Sequence, residues 1–189
     1  MDHHEITNRF ALPLLSASAM ALLSACGGGG GSAEPAPPEP RTVSIRFAGV
    51  AGTAPVSCAQ PLAALGSGAL QSELKDFRFY VSEVSLKRAD GIFVPLAMSV
   101  DEWQHERGVA LIDLEDDSGS CAGRGTAAMN ASIRGTVPGG EYVGVRLTVG
   151  VPSAVNHSDT AASAAPLDVQ AMAWSWQAGR KFAKIEFSE

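Results

Sequence analysis

Apolar and polar residues alternate with a period of two along most of this chain. In Thr42-Val43-Ser44-Ile45-Arg46-Phe47 the alternation puts Val43, Ile45 and Phe47 on one face, the pattern of a half-buried strand. Asp76-Phe77-Arg78-Phe79-Tyr80-Val81 repeats it, and Val84-Ser85-Leu86 leads into Ala89-Asp90-Gly91. An Asp-Gly pair between alternating runs predicts a hairpin, with Ile92–Leu96 as the return strand. Val109–Leu114 is a further strand, and Ala131–Val137, Pro138-Gly139-Gly140 and Tyr142–Val149 read as a second hairpin. Trp174 to Phe187 supplies the last strand or two. The segment Pro61–Glu73 has Leu62, Leu65 and Leu70 near helical spacing and is assigned a short helix. About seven short strands separated by turn signals predict an all-β fold, an immunoglobulin-like β-sandwich.

The first 41 residues do not fit this pattern. Ala11–Ala25 is apolar, too short to span a bilayer and suited to the core of an export signal. Its basic flank is weak, since Arg9 stands beside Asp2 and Glu5. The run ends in Leu23-Ser24-Ala25-Cys26, small residues before a cysteine, the signature of a bacterial lipoprotein. Residues 1–25 are therefore assigned to a signal peptide and Cys26 to lipidation. Gly27 after the cysteine, rather than Asp, favours the outer membrane of the cell envelope. Gly27–Gly31 cannot continue a helix. With Pro35-Ala36-Pro37-Pro38-Glu39-Pro40, residues 26–41 make a disordered tether. His3 and His4 fall in the signal and drop out.

Residues 42–189 are left as one domain, roughly 150 residues and enough for a core. The net charge is −6 with no run of Lys or Arg, which excludes a nucleic-acid surface. With Cys26 lipidated, Cys58 and Cys121 form an even pair in an oxidising compartment, most simply one disulfide. It would close a loop of about 60 residues and contribute ~4 kcal/mol. Copper thiolates are the weaker alternative, because neither cysteine has a second ligand at close spacing. The acidic residues Asp113, Glu115, Asp116 and Asp117 lack the spacing of a calcium loop and read as a solvated strand end. No nucleophile elbow, HExxH or phosphate loop occurs. The last residues, Lys184–Glu189, still alternate with no turn after them. We read this as a chain lacking C-terminal strands, with an exposed sheet edge expected.

The chemistry centres on Trp174 and Trp176, two residues apart and so on one face of the expected strand. Packing alone is the commoner reason for such a pair. Upstream lies His157, in Asn156-His157-Ser158-Asp159; His105 is the other histidine beyond the signal.

Five segments in order carry a resemblance. They are Asp76–Ser82, Val109–Asp116 with Cys121, Gly150-Val151-Pro152 with Asn156–Asp159, Pro166-Leu167, and Met172–Gly179. From about Arg41 to Phe187 the chain resembles the MbnP-like family of periplasmic or surface copper-binding proteins, encoded beside di-haem enzymes of the MauG/cytochrome c peroxidase type. The resemblance implies copper as cofactor, expected as Cu(I), and a di-haem partner that oxidises Trp174 to kynurenine. It also implies four cysteines, of which this chain has Cys58 and Cys121.

The residues make chemical sense of that reading. Indole N–H is a donor only and a poor ligand, whereas kynurenine offers an aryl amine and a carbonyl. Imidazole suits copper, so His157 is the first unmodified candidate, with Asn156 and Asp159 as groups that orient its ring. His105 is the second ligand candidate. Met172 shares strand parity with Trp174 and offers a thioether, though a core role is the simpler one. Trp176 is assigned to packing or to relaying the oxidation. A non-catalytic copper-binding lipoprotein, held to the membrane by its lipid anchor only, is the leading function. A structural or adhesive envelope module is the alternative, and a copper-dependent redox enzyme a distant third.

Overall fold

The computed structural model describes residues 38–188. The signal segment, Cys26 and all but the end of the tether lie outside those residues. The chain runs through β1 (Arg41–Arg46), a small hairpin of β2 (Val50–Ala51) and β3 (Ala54–Pro55), β4 (Leu62–Leu65) and the long β5 (Leu70–Arg88). Three short strands, β6 (Phe93–Pro95), β7 (Ala97–Met98) and β8 (Gln104–His105), precede β9 (Val109–Asp113). Then come β10 (Ser132–Val137), β11 (Tyr142–Val149), β12 (Ala173–Ser175), β13 (Gly179–Arg180) and β14 (Ala183–Ser188).

Two sheets form the body. β1, β10 and β7 make the smaller, and the larger is built on β5, which pairs with β4, β6, β9, β11 and β14, while β8 extends it from β9. The alternation in β5 is the reason for its central place. Phe77, Phe79 and Val81 point one way and meet Ile112 of β9, Ile133 and Val137 of β10, and Val43 and Ile45 of β1. This is the sandwich core, and it makes the fold an all-β sandwich.

The sequence pattern is exceeded at β9. All five of its residues are buried, because both faces are covered. Ala110 and Ile112 enter the sandwich core, whereas Val109 and Leu111 face a second cluster with Tyr80, Val151, Leu167 and Met172. The layer over that second face is not a sheet but the chain between Gly150 and Phe182, which carries the tryptophan pair.

Three local expectations are corrected. Pro61–Glu73 forms no helix; Leu62 pairs with Ser72 and Leu65 with Leu70 across a turn at Gly66 and Ala69, both at positive φ. Three leucines near helical spacing also suit a short hairpin, and the Gly66-Ser67-Gly68 turn breaks any helix. The segments 131–137 and 142–149 do not pair with each other. β10 joins β1 and β11 joins β5, so the Pro-Gly-Gly turn carries the chain from one sheet to the other. Finally, Trp174 to Phe187 is broken into the β12–β13 hairpin and β14, and the exposed Trp176 sits in the turn. Among the described residues β14 pairs on one side only, with β5.

Candidate metal centre

The segment bearing the site leaves and returns at one residue. Gly150 N–H donates to the Tyr80 carbonyl and Tyr80 N–H donates to the Phe182 carbonyl, each at 2.9 Å. The Tyr80 hydroxyl reaches up from the sheet and donates to the Pro166 carbonyl at 2.8 Å. Its side chain is fully buried, and that burial pushes the phenol's pKa well above its ordinary value.

Arg180 organises the interior of this segment. Its guanidinium is buried, and all five of its N–H groups are used. Nε and Nη2 donate to the Leu167 carbonyl, Nη1 donates to the Val155 and Asn156 carbonyls, and Nη2 also donates to Ser163 Oγ. A planar fork suits this task better than an ammonium would. The arginine thereby ties the β12–β13 hairpin to the loop that holds His157.

His157 completes the link. Its Nδ1 lies 2.9 Å from the Trp176 carbonyl. A carbonyl only accepts, so in the neutral ring Nδ1 carries the proton and Nε2 keeps its lone pair. Asn156 Oδ1 accepts the Arg180 N–H at 2.9 Å, which turns its amide nitrogen toward His157 Nε2, a long contact of 3.4 Å. Behind Asn156 the backbone has no room: Gly179 sits at φ +81°, and a Cβ there would lie 2.4 Å from Asn156 Nδ2.

Trp174 and Trp176 are each 70% exposed, so neither packs the core. They border an open cleft of about 380 Å³ with Ser158, Asp159, Gln170 and Ser175. The Lys181 ammonium stands 4.7 Å from the centre of the Trp174 ring, held by a 2.9 Å hydrogen bond to the Ala171 carbonyl.

The remaining nominated residues separate from this unit. Met172 is not on a strand with Trp174; it ends a 3-10 turn (Gln170–Met172) and is fully buried in the second core. Its role is packing. Asp159 shares the tryptophan cleft, but its carboxylate accepts the Ala161 N–H rather than a hydrogen of the His157 ring. His105 is buried on β8, and its Nδ1 accepts the Arg107 N–H at 3.0 Å. In the neutral ring the proton is then on Nε2, leaving no free lone pair for a metal. No described contact joins it to His157 or Trp174. Gly179, Arg180 and Lys181 were not foreseen. Charged residues after a glycine read as a turn, and nothing in the sequence marks Arg180 as buried.

A second polar cluster lies on the same face of β5, toward its start. Asp76 is buried between Arg78, which grips both carboxylate oxygens, and Lys184 of β14. Burial alone would raise its pKa, but those two cations outweigh it and hold Asp76 below the usual value. Burial pushes the neighbouring Asp113 up to about 7, despite the Glu115 N–H and Arg78. Cys58 and Cys121 are joined by a disulfide beside Glu115.

The MbnP family model matches residues 40–189. The chain belongs to the MbnP family. Among solved structures it is similar to MbnP from Methylosinus trichosporium, at 39% identity and a TM-score of 0.68. That match covers 79% of this chain, which spans 55% of the other's length. No curated protein matches. For an MbnP-family chain the donor set on the hairpin fits copper in part. His157 presents Nε2, met only by the long Asn156 contact, and the intact indole of Trp174 adds no ligand atom.

Proposed function

We propose that this chain is a non-catalytic copper-binding lipoprotein of the cell envelope, active in copper acquisition or homeostasis. Trp174 is the substrate of a di-haem partner, which opens its indole to kynurenine. The observation that carries the reading is the unit of His157 and the tryptophan hairpin. One histidine has its Nδ1 proton directed at the Trp176 carbonyl and its Nε2 lone pair met only by the long 3.4 Å contact from the Asn156 amide, beside a hairpin that carries an exposed indole. Imidazole nitrogen is a ligand that suits copper. His157 and kynurenine at position 174 are the donors assigned here. His105 is left out because its lone pair is committed to Arg107. Trp176, equally exposed, is suited to pass the oxidising equivalent from the partner to Trp174. The lipidated Cys26 and the tether would hold the domain at the outer membrane.

The test is co-expression with the di-haem enzyme, followed by intact mass and copper analysis. Kynurenine formation gains one oxygen and loses one carbon at Trp174. Copper that accompanies this change and disappears in Trp174→Phe supports the site. Copper content unchanged by Trp174→Phe would sink it. Two indoles bordering a cleft also favour an adhesive surface, the second reading. A chain with neither kynurenine nor copper that still binds an envelope ligand through Trp174 and Trp176 would establish that instead.

A further inference from the structure

Glu115 is buried without full satisfaction. Its side chain is fully enclosed, Oε2 accepts the Asp117 N–H at 3.0 Å, and Oε1 has no hydrogen-bond partner. The nearest cation is Arg78, with Nη1 at 3.9 Å from Oε1, beyond hydrogen-bond reach. Gly125 closes over the same oxygen so tightly that any Cβ there would overlap it. A buried acceptor left open in this way calls for a reason. The groups beside it are the two sulfurs: among the described residues, Cys58, Cys121 and Glu115 form the one group of metal-ligating atoms that all lie within 4.8 Å of one another.

We infer that Cys58, Cys121 and Glu115 form a second, redox-gated metal site, which takes a thiophilic divalent cation of the zinc class when the disulfide is reduced. A dithiol reductant transfers two electrons and two protons to the disulfide, becomes a disulfide itself, and leaves two thiols. The cation then displaces both protons and binds two thiolates and the Glu115 carboxylate. Thiolate and carboxylate are ordinary zinc ligands, and an open fourth position suits water. The charges also close. Two thiolates, Glu115 and Asp76 carry four negative charges, offset by the divalent ion together with Lys184 and Arg78, which is bonded to Asp76 and stands 3.9 Å from Glu115.

Access is asymmetric. A cleft of about 450 Å³ lined by Cys58, Glu73, Lys75 and Ser120 reaches Cys58, whereas Cys121 is wholly enclosed. Cys58 is therefore the cysteine nearer to an incoming thiolate, and Cys121 the one that would leave. This site shares no residue with the His157 hairpin and stands independently of the copper reading.

The experiment is anaerobic reduction of the purified protein with a phosphine, then titration with cadmium as a spectroscopic stand-in for zinc. Thiolate-to-cadmium charge transfer separates sulfur ligation from any imidazole site. One cadmium per reduced chain is expected, with no such absorption in the oxidised protein. Glu115→Gln, similar in shape, should weaken binding by about tenfold or more. Circular dichroism of the oxidised variant checks its fold, and Glu115→Asp, which shortens the reach, replaces it if needed. A folded, reduced protein without the charge-transfer band overturns the proposal. Equal affinity in the Glu115 variant does so as well, as does a reduced chain that unfolds and is not restored by metal.

Discussion

The Tyr80 hydroxyl donates to the Pro166 carbonyl across 2.8 Å, and this contact joins the floor of the sheet to the loop that carries the site. Tyr80→Phe keeps the buried ring but leaves a carbonyl without its donor. A loss of about 1–2 kcal/mol is expected in urea unfolding. Amide exchange should rise in the loop before it rises in the strands. Uniform protection in both regions would contradict the pinning role.

Arg180 is the stronger anchor. Arg180→Met removes all five hydrogen bonds and takes the guanidinium from the Leu167 and Asn156 carbonyls, whereas the Val155 carbonyl and Ser163 Oγ keep partners in Ser158 and Asp159. The expected cost is about 2–5 kcal/mol, since each buried carbonyl left without its charged donor costs roughly 1–3 kcal/mol. Arg180→Lys should recover only part of it, since an ammonium cannot reproduce the fork. Chemical denaturation of the two variants side by side gives the comparison.

Gly179→Ala forces a side chain into a left-handed turn and against Asn156. A destabilisation of about 1–3 kcal/mol is expected. Copper retention by the matured protein should fall further than stability alone accounts for, because Asn156 and the neighbouring His157 must shift. Retention that tracks stability would separate the turn from the site.

Lys181→Met removes a cation from the face of Trp174. The ammonium disfavours withdrawal of an electron from that ring, by ~0.5–1 kcal/mol at so exposed a position. Faster conversion of Trp174 by the same oxidant is expected, followed by mass spectrometry of the hairpin peptide. Slower conversion would mean that the lysine serves oxidation in another way.

Asp113 gives a pH signature. Its carboxyl is raised by burial to about 7 from an ordinary value of 3.8, so the folded state holds a proton that the unfolded state has released. Stability should therefore decline as pH rises through that interval. Asp76, held low by Arg78 and Lys184, acts in the opposite sense and loses its contribution below its ordinary pKa. Asp113→Asn should flatten the decline of Tm between pH 4 and 7 while leaving the acid limb in place. A parallel curve in the variant would assign the slope elsewhere.

The sandwich was readable because its strands obey a period of two. Val43, Ile45, Phe77 and Phe79 declared their face directly. Pairing was harder to read. The segments 131–137 and 142–149 look like a hairpin because a tight turn joins them, and only the whole topology sends them to different sheets. The resemblance pointed to Trp174, and imidazole chemistry nominated His157, which the structure puts against the hairpin. Met172 went astray because a 3-10 turn interrupts the alternation just before the strand. Arg180 was invisible for a different reason: sequence marks a guanidinium as polar, and only assembled carbonyls make burial tolerable.

The doubly buried β9 has a consequence for anyone who would move this site into another scaffold. Val109 and Leu111 belong to the floor of the tryptophan segment, yet they alternate with Ala110 and Ile112, which hold the sandwich together. A transplanted stretch from Gly150 to Phe182 would bring the histidine, the indoles and Arg180. It would arrive without Tyr80 or the apolar floor beneath it. The portable unit is therefore the segment together with the middle of β5 and all of β9.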